Sequence, residues 1–256
     1  MSIPGVSVES CGLDCLHILE LGLVAHLIGS LFFELIYFEM QGTHSQRLSQ
    51  LFQRILQLYD DLAIRSCRIG TLKLEYFCDP KAPHKHYPCL HASAIKGRET
   101  RYLAPVALEL AREHNHSPHG GHRVKVFEHL NAVYELLDLK VFHFTPAQTQ
   151  QFQNHMSKCL LHYLILHKEA ASAGKKLWNV TMKSHYAAHL AMQAEFCSPR
   201  LSWCYGSESM VGRISRLAQS CLAGTAAHLV SESLMTKYRI AMHIIFNYFA
   251  EDADEL

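Results

Sequence analysis

The chain has 19 histidines in 256 residues, and imidazole is both a proton carrier and a metal ligand near neutral pH. Two clusters concentrate them: His84-x-His86-x-x-Cys89-x-His91, and His114, His116, His119 and His122 around a Gly-Gly turn. Zn²⁺ takes nitrogen and thiolate ligands tetrahedrally, so His84, His86, Cys89 and His91 are a candidate zinc set. The spacing fits no zinc finger or ribbon and the chain has no Cys-x-x-Cys, which leaves ordinary surface-loop histidines as the competing reading. His185 and His189 stand four apart on an expected helix and share one face, but they lack the glutamate of the His-Glu-x-x-His metalloprotease pattern. There is no Gly-x-Ser-x-Gly nucleophile turn and no phosphate-cradling glycine loop.

The elements that carry these residues read as helices. Leu48, Leu51, Phe52, Ile55, Leu56, Tyr59 and Leu62 form one apolar stripe at helical spacing. Similar periodicity occupies about 103–113 and resumes through Phe127, Leu130, Val133, Tyr134 and Leu137. Pro146 suits the first turn of a helix that runs to a stop near Gly174. Further helices are expected over about 183–196, 207–222 and 229–250. Only Thr71–Phe77 alternates apolar and polar residues as a short extended segment would. The expected fold is therefore mostly α, a multi-helix globular arrangement. It divides along the sequence into a helical segment 1–68, a His/Pro-rich loop region with one helix at 69–122, and a helical bundle at 123–256.

Composition narrows the function classes. Lys+Arg 24 against Asp+Glu 23 gives a formal charge of +1, too little for a global nucleic-acid-binding field. Nine cysteines in no paired pattern, with no secretion signal over the first twenty residues, lead us to expect reduced thiols in a nuclear or cytoplasmic protein. Leu16–Phe38 is long enough to span a membrane, but Glu20, His26 and Glu34 interrupt it, so a buried helix and no membrane partner are expected.

Three segments together carry a resemblance. Cys11-Gly-Leu-Asp14-Cys-Leu-His17-Ile-Leu-Glu20, Lys183-Ser-His185-Tyr-Ala-Ala-His189-Leu, and Ser198-Pro-Arg-Leu-Ser-Trp203-Cys-Tyr205-Gly-Ser-Glu208 follow one another in the chain. In order and spacing they resemble the Asp-x-x-His segment, the Lys-x-His-x-x-x-His helix and the Trp-x-Tyr-x-x-Glu block of CACTA (En/Spm) transposases. The resemblance implies a ribonuclease-H-like enzyme in which two aspartates and a glutamate hold Mg²⁺ for DNA strand transfer, as hard Mg²⁺ requires carboxylate oxygens. Glu208 would be the third acid and a Mg²⁺ ligand, Asp14 and His17 the accompanying signature, and His185, His189, Trp203 and Tyr205 its supports. DNA would be the partner.

This chain departs from the pattern where the two catalytic aspartates should precede Asp14, since the thirteen preceding residues hold only Glu9 as an acid. It is thus expected to be an inactive, transposase-derived portion, with Asp14, His17 and Glu208 near one another and His185 or His189 facing the same interior. A non-enzymatic helical interaction protein, zinc-stabilised or not, is the alternative, with a protein partner in place of DNA. Read without the resemblance, Asp14 is a helix N-cap, Trp203 and Tyr205 are core aromatics, and Glu208 is a carboxylate favoured at a helix start.

Overall fold

The computed structural model describes residues 12–116, 120–222 and 224–253, with side chains at 206–209 and 244–253 excepted. The chain is 69% helical, with no strand among the described residues. Two compact units divide it, Met1–Trp203 and Cys204–Leu256. The sequence segments 1–68 and 69–122 and most of 123–256 all contribute to the first of them.

In the first unit, α1 (Leu16–Glu39) is the central element. It is apolar on all sides, and a helix of that kind is stable only when buried all round. Leu19, Leu27, Ile28, Leu31, Phe32, Leu35 and Ile36 are fully buried. By length and composition α1 could cross a membrane, yet 72% of its most apolar window is covered by the protein itself. Packed on it are α2 (His44–Asp61), α3 (Gly97–Glu113) and α6 (Met182–Gln193). The helices α4 (Gly120–Leu137) and α5 (Pro146–Ser172) close the succession, each packing on its neighbours in chain order from α3 to α6.

Local signals set the helix ends. Thr43 with Gln46 and Thr145 with Gln148 form reciprocal capping boxes at the starts of α2 and α5, and Pro146 occupies the first turn of α5. Gly174, at φ 68°, follows the end of α5 in the left-handed conformation that glycine adopts without strain.

The polar residues that interrupt α1 each have a defined setting. Glu34 pairs with the fully buried guanidinium of Arg123 at 3.0 Å, Glu39 pairs with the same group, and Arg123 also donates to the His114 carbonyl at 2.6 Å. Burial pushes the Glu34 carboxyl up, against the pull of Arg123. At Glu39 burial is outweighed by hydrogen bonds from His114 and Arg123, and its carboxyl is pulled down. One cation therefore ties the end of α1 to the α3–α4 connection. Burial also pushes the His26 imidazole down, while a contact with the Pro88 backbone opposes it.

The expected extended segment is instead a single 3-10 turn, Leu74–Tyr76. Among the described residues no strand lies beside it to complete a ladder. Cys89 donates its N–H to the Phe77 carbonyl (3.0 Å), His91 to Tyr76 (2.8 Å) and Leu90 to the Ala25 carbonyl of α1 (3.0 Å), so the loop is satisfied by itself and by the helix. This contact is close because residue 29 is glycine. A Cβ there would stand 2.8 Å from the Cys89 backbone. Gly29→Ala is expected to cost about 1–3 kcal/mol through overpacking, read by urea denaturation, and a loss below about 0.5 kcal/mol would contradict this packing.

The second unit consists of α7 (Tyr205–Leu222) and α8 (Val230–Ala253), packed on each other through a 3-10 turn, Ala227–Leu229. Lys237 on α8 donates to the Ser220 carbonyl at 3.1 Å. Met210, Val211, Met235 and Ile240 remain exposed.

Candidate functional site

The start of α1 gathers the first unit's unusual chemistry. Asp14 caps it: its carboxylate accepts from the Leu16 N–H (3.0 Å) and the His17 N–H (3.2 Å), and it also bonds the His17 ring. A carboxylate and an imidazole, two metal-ligating groups, thus lie side by side at a half-exposed position. The first eight residues of α1, Leu16–Leu23, are wound as π-helix, a conformation that is rare and concentrates at functional positions.

This winding carries Glu20 into the core, where its side chain is fully buried. Neither carboxyl oxygen closes an ordinary hydrogen bond. Burial pushes its pKa up to about 8, and attraction from Arg101 and the polar tips of Tyr134 and Trp203 only partly opposes that rise. Glu20 is therefore a carboxylic acid that holds its proton at neutral pH. Arg101 lies 4.3 Å over the Trp203 ring and 5.2 Å from that of Tyr134, and it ion-pairs with Asp138. Beside Glu20, Cys15 is fully buried and its thiol donates to the Pro199 carbonyl at 3.1 Å. Burial first, then Glu20 and Asp14, push that thiol far up, so it is no nucleophile.

Distant segments build this face. Leu13 donates its N–H to Gln193 of α6 at 3.0 Å, and the Ser202 hydroxyl donates to the Leu13 carbonyl. Lys183, also on α6, donates to the Leu21 carbonyl at 2.8 Å, and its stem fills the space a side chain at Gly22 would need. Segments some 180 residues apart in sequence, those of Asp14, of Lys183 and of Pro199–Trp203, thus lie against one another.

Other expectations fare differently. His185 and His189 do not face the interior: they are exposed, with Nε2 atoms 2.9 Å apart, because α6 turns Ser184, Ala187, Leu190 and Ala191 inward. His84 is packed among the rings of Phe33, Tyr37 and Phe38, and Cys89 is held under α1 at Gly29. Among the described residues His84, His86, Cys89 and His91 do not gather into one converging ligand group. His119 lies outside the described residues. Tyr205 opens α7 in the second unit. Glu208 lies in the first turn of that helix, and its side chain is outside the described residues. The fit to Mg²⁺ is poor within the first unit. Asp14 engages its oxygens with the cap and the imidazole, and the Glu20 carboxyl is buried and pushed up to about 8, so neither is placed as a free carboxylate for a hard ion.

Glu20, Arg101 and Tyr134 were not singled out from sequence as site residues. The available signal was an acid inside the most apolar stretch of the chain, where an ion costs several kcal/mol unless it is neutralised or paired.

What fold and site define together is a class: a multi-helix protein with a buried acid beneath an Asp-x-x-His helix start. No family model, curated protein or solved structure matches the chain.

Proposed function

We propose that this chain is the helical portion of a CACTA-like DDE transposase, a DNA-directed protein that does not transfer strands by itself. One observation carries the reading. The three segments that resemble that family, around Asp14, Lys183 and Trp203, make direct hydrogen bonds or packing contacts although about 180 residues separate the first from the last. Independent surface motifs have no reason to meet. The buried, proton-holding Glu20 is a further sign of a retained functional region, since such a group lowers stability and is kept where a site requires it.

In this reading Glu208 is one of three metal-binding acids and the other two belong to a sheet outside this sequence. One acid alone leaves the transition-state charge of an in-line displacement uncompensated. The isolated chain is expected to leave supercoiled plasmid intact in Mg²⁺ or Mn²⁺. When joined to an upstream open frame that encodes two strand-borne aspartates, it is expected to nick, and Glu208→Gln should abolish the nicking. Gel electrophoresis reads both outcomes. Strong nicking by the isolated chain that vanishes in Glu208→Gln would refute the need for missing acids, and a locus with no such upstream frame would refute the transposase origin.

That second outcome would favour a non-enzymatic helical interaction protein. Phe142 and Phe196 are each 74% exposed on neighbouring segments, where the Phe142 carbonyl accepts from the Ser198 N–H and the Phe196 carbonyl meets the His143 ring, an apolar surface suited to a protein partner.

A further inference from the structure

Away from the Asp14 face, the seam between α4 and α5 carries a feature that packing does not require. Phe127, Leu130 and Val133 from α4 and Met156, Cys159 and Tyr163 from α5 already supply buried side chains. Four half-buried histidines accompany them: His122 and His129 on α4, and His155 and His162 on α5. Seven residues are two helical turns, so the two histidines of each helix share a face about 10.5 Å apart along the axis. The antiparallel register sets His122 opposite His162, with Nδ1 atoms 2.9 Å apart, and His129 opposite His155, with Nδ1 atoms 3.1 Å apart. His129 also stacks on His162, with centroids 5.9 Å apart and planes 14° from parallel, which joins the two rungs into one ladder.

At these separations only one hydrogen fits between each pair of nitrogens, so one ring donates and the other accepts. An entering cation can replace that shared hydrogen without net proton loss. The donor ring moves its proton from Nδ1 to its own Nε2, and two lone pairs then face one point. With metal–nitrogen bonds of about 2.0–2.1 Å, the observed separations correspond to a ligand–metal–ligand angle of about 90–100°.

We propose that this ladder binds a late first-row divalent cation, Cu²⁺, Ni²⁺ or Zn²⁺, each facing Nδ1 pair acting as a two-nitrogen chelate with water completing the shell. The ligand chemistry selects the ion: an all-imidazole set suits these metals, whereas Mg²⁺ and Ca²⁺ require oxygen. Of the nearby cations, Lys125 is engaged by Glu128 at 2.8 Å. The site is independent of the transposase reading.

The exposed His185–His189 pair is the competing binder, and the test separates the two. The purified chain is titrated with Cu²⁺ and with Zn²⁺ by calorimetry, and its melting is followed by circular dichroism. One or two ions per chain are expected, with a rise in melting temperature of about 5–10 °C at a metal concentration a hundredfold above Kd. His129→Ala/His162→Ala removes one imidazole from each rung and should weaken binding at least about 100-fold and abolish the rise. His185→Ala/His189→Ala should keep both. If the alanine pair does not fold, His129→Asn/His162→Asn replaces it, and nitrogen splitting in the Cu²⁺ electron-spin-resonance spectrum of the unsubstituted chain reports imidazole ligation directly. Absence of uptake, uptake unchanged in the 129/162 variants, or loss only in the 185/189 variant would overturn the proposal.

Discussion

Arg123→Met is expected to remove about 3–5 kcal/mol of unfolding free energy. Its guanidinium has no exposed surface and serves Glu34, Glu39 and the His114 carbonyl together. Methionine restores much of the packing volume but leaves two partly buried carboxylates near each other without the guanidinium they share, with only Lys175 near Glu34 and His114 beside Glu39 to offset them. The Glu34 carboxyl, already raised by burial, would rise further, because the attraction of Arg123 is gone and Glu39 remains. Urea unfolding at neutral pH measures the loss. Adding Glu34→Gln and Glu39→Gln to the variant should recover a large part of it, and failure to do so would show that volume rather than charge sets the cost. By contrast, the surface pair Arg54–Glu113 contributes no more than a fraction of a kcal/mol.

Glu20→Gln is expected to act in the opposite direction and to depend on pH. The carboxyl is raised from 4.5 to about 8 in the folded protein, so between those values the folded state binds more protons than the unfolded one. Stability contributed by the protonated acid is present in full below the unfolded pKa and is lost as pH rises through the folded pKa. At pH 7 the difference amounts to about 3 kcal/mol, at one pKa unit per 1.36 kcal/mol. Glutamine resembles the protonated acid in shape and does not ionise. The variant should therefore exceed the unsubstituted chain by less than about 1 kcal/mol near pH 5, by about 3 kcal/mol at pH 7 and by more at pH 9. Parallel denaturation curves at the three pH values decide it. A difference that does not grow with pH would mean that Glu20 is ionised and paired in the folded protein.

Helix identity was legible in the sequence because it rests on local physics. The stripe from Leu48 to Leu62, Pro146 at a first turn, and Gly174 after a last turn each act over a few residues, and all three correspond to observed features of α2 and α5. The polar interruptions in the run from Leu16 to Phe38 likewise pointed to a buried helix, and α1 is largely covered by the protein. Asp14 was readable as a cap for the same reason, since a carboxylate reaches only the next few amides.

Tertiary packing decided the rest. Periodicity over Thr71–Phe77 fitted a strand, but a strand needs a partner edge, and here Tyr76 and Phe77 accept from His91 and Cys89 of the loop that follows. Spacing in sequence made His84, His86, Cys89 and His91 look like a ligand set, yet convergence of side chains depends on where the loop packs, and it packs His84 among aromatic rings. The helical spacing of His185 and His189 was read correctly, but which face is buried depends on what α6 packs against. The histidines that do meet, His122 with His162 and His129 with His155, sit 40 and 26 residues apart, and only the register of two antiparallel helices brings them together. Glu20 was visible as an acid in an apolar run. Its raised pKa follows from burial in the core, against the opposing pull of Arg101, Tyr134 and Trp203 from three other parts of the chain, and that burial is a product of tertiary packing which no local pattern encodes.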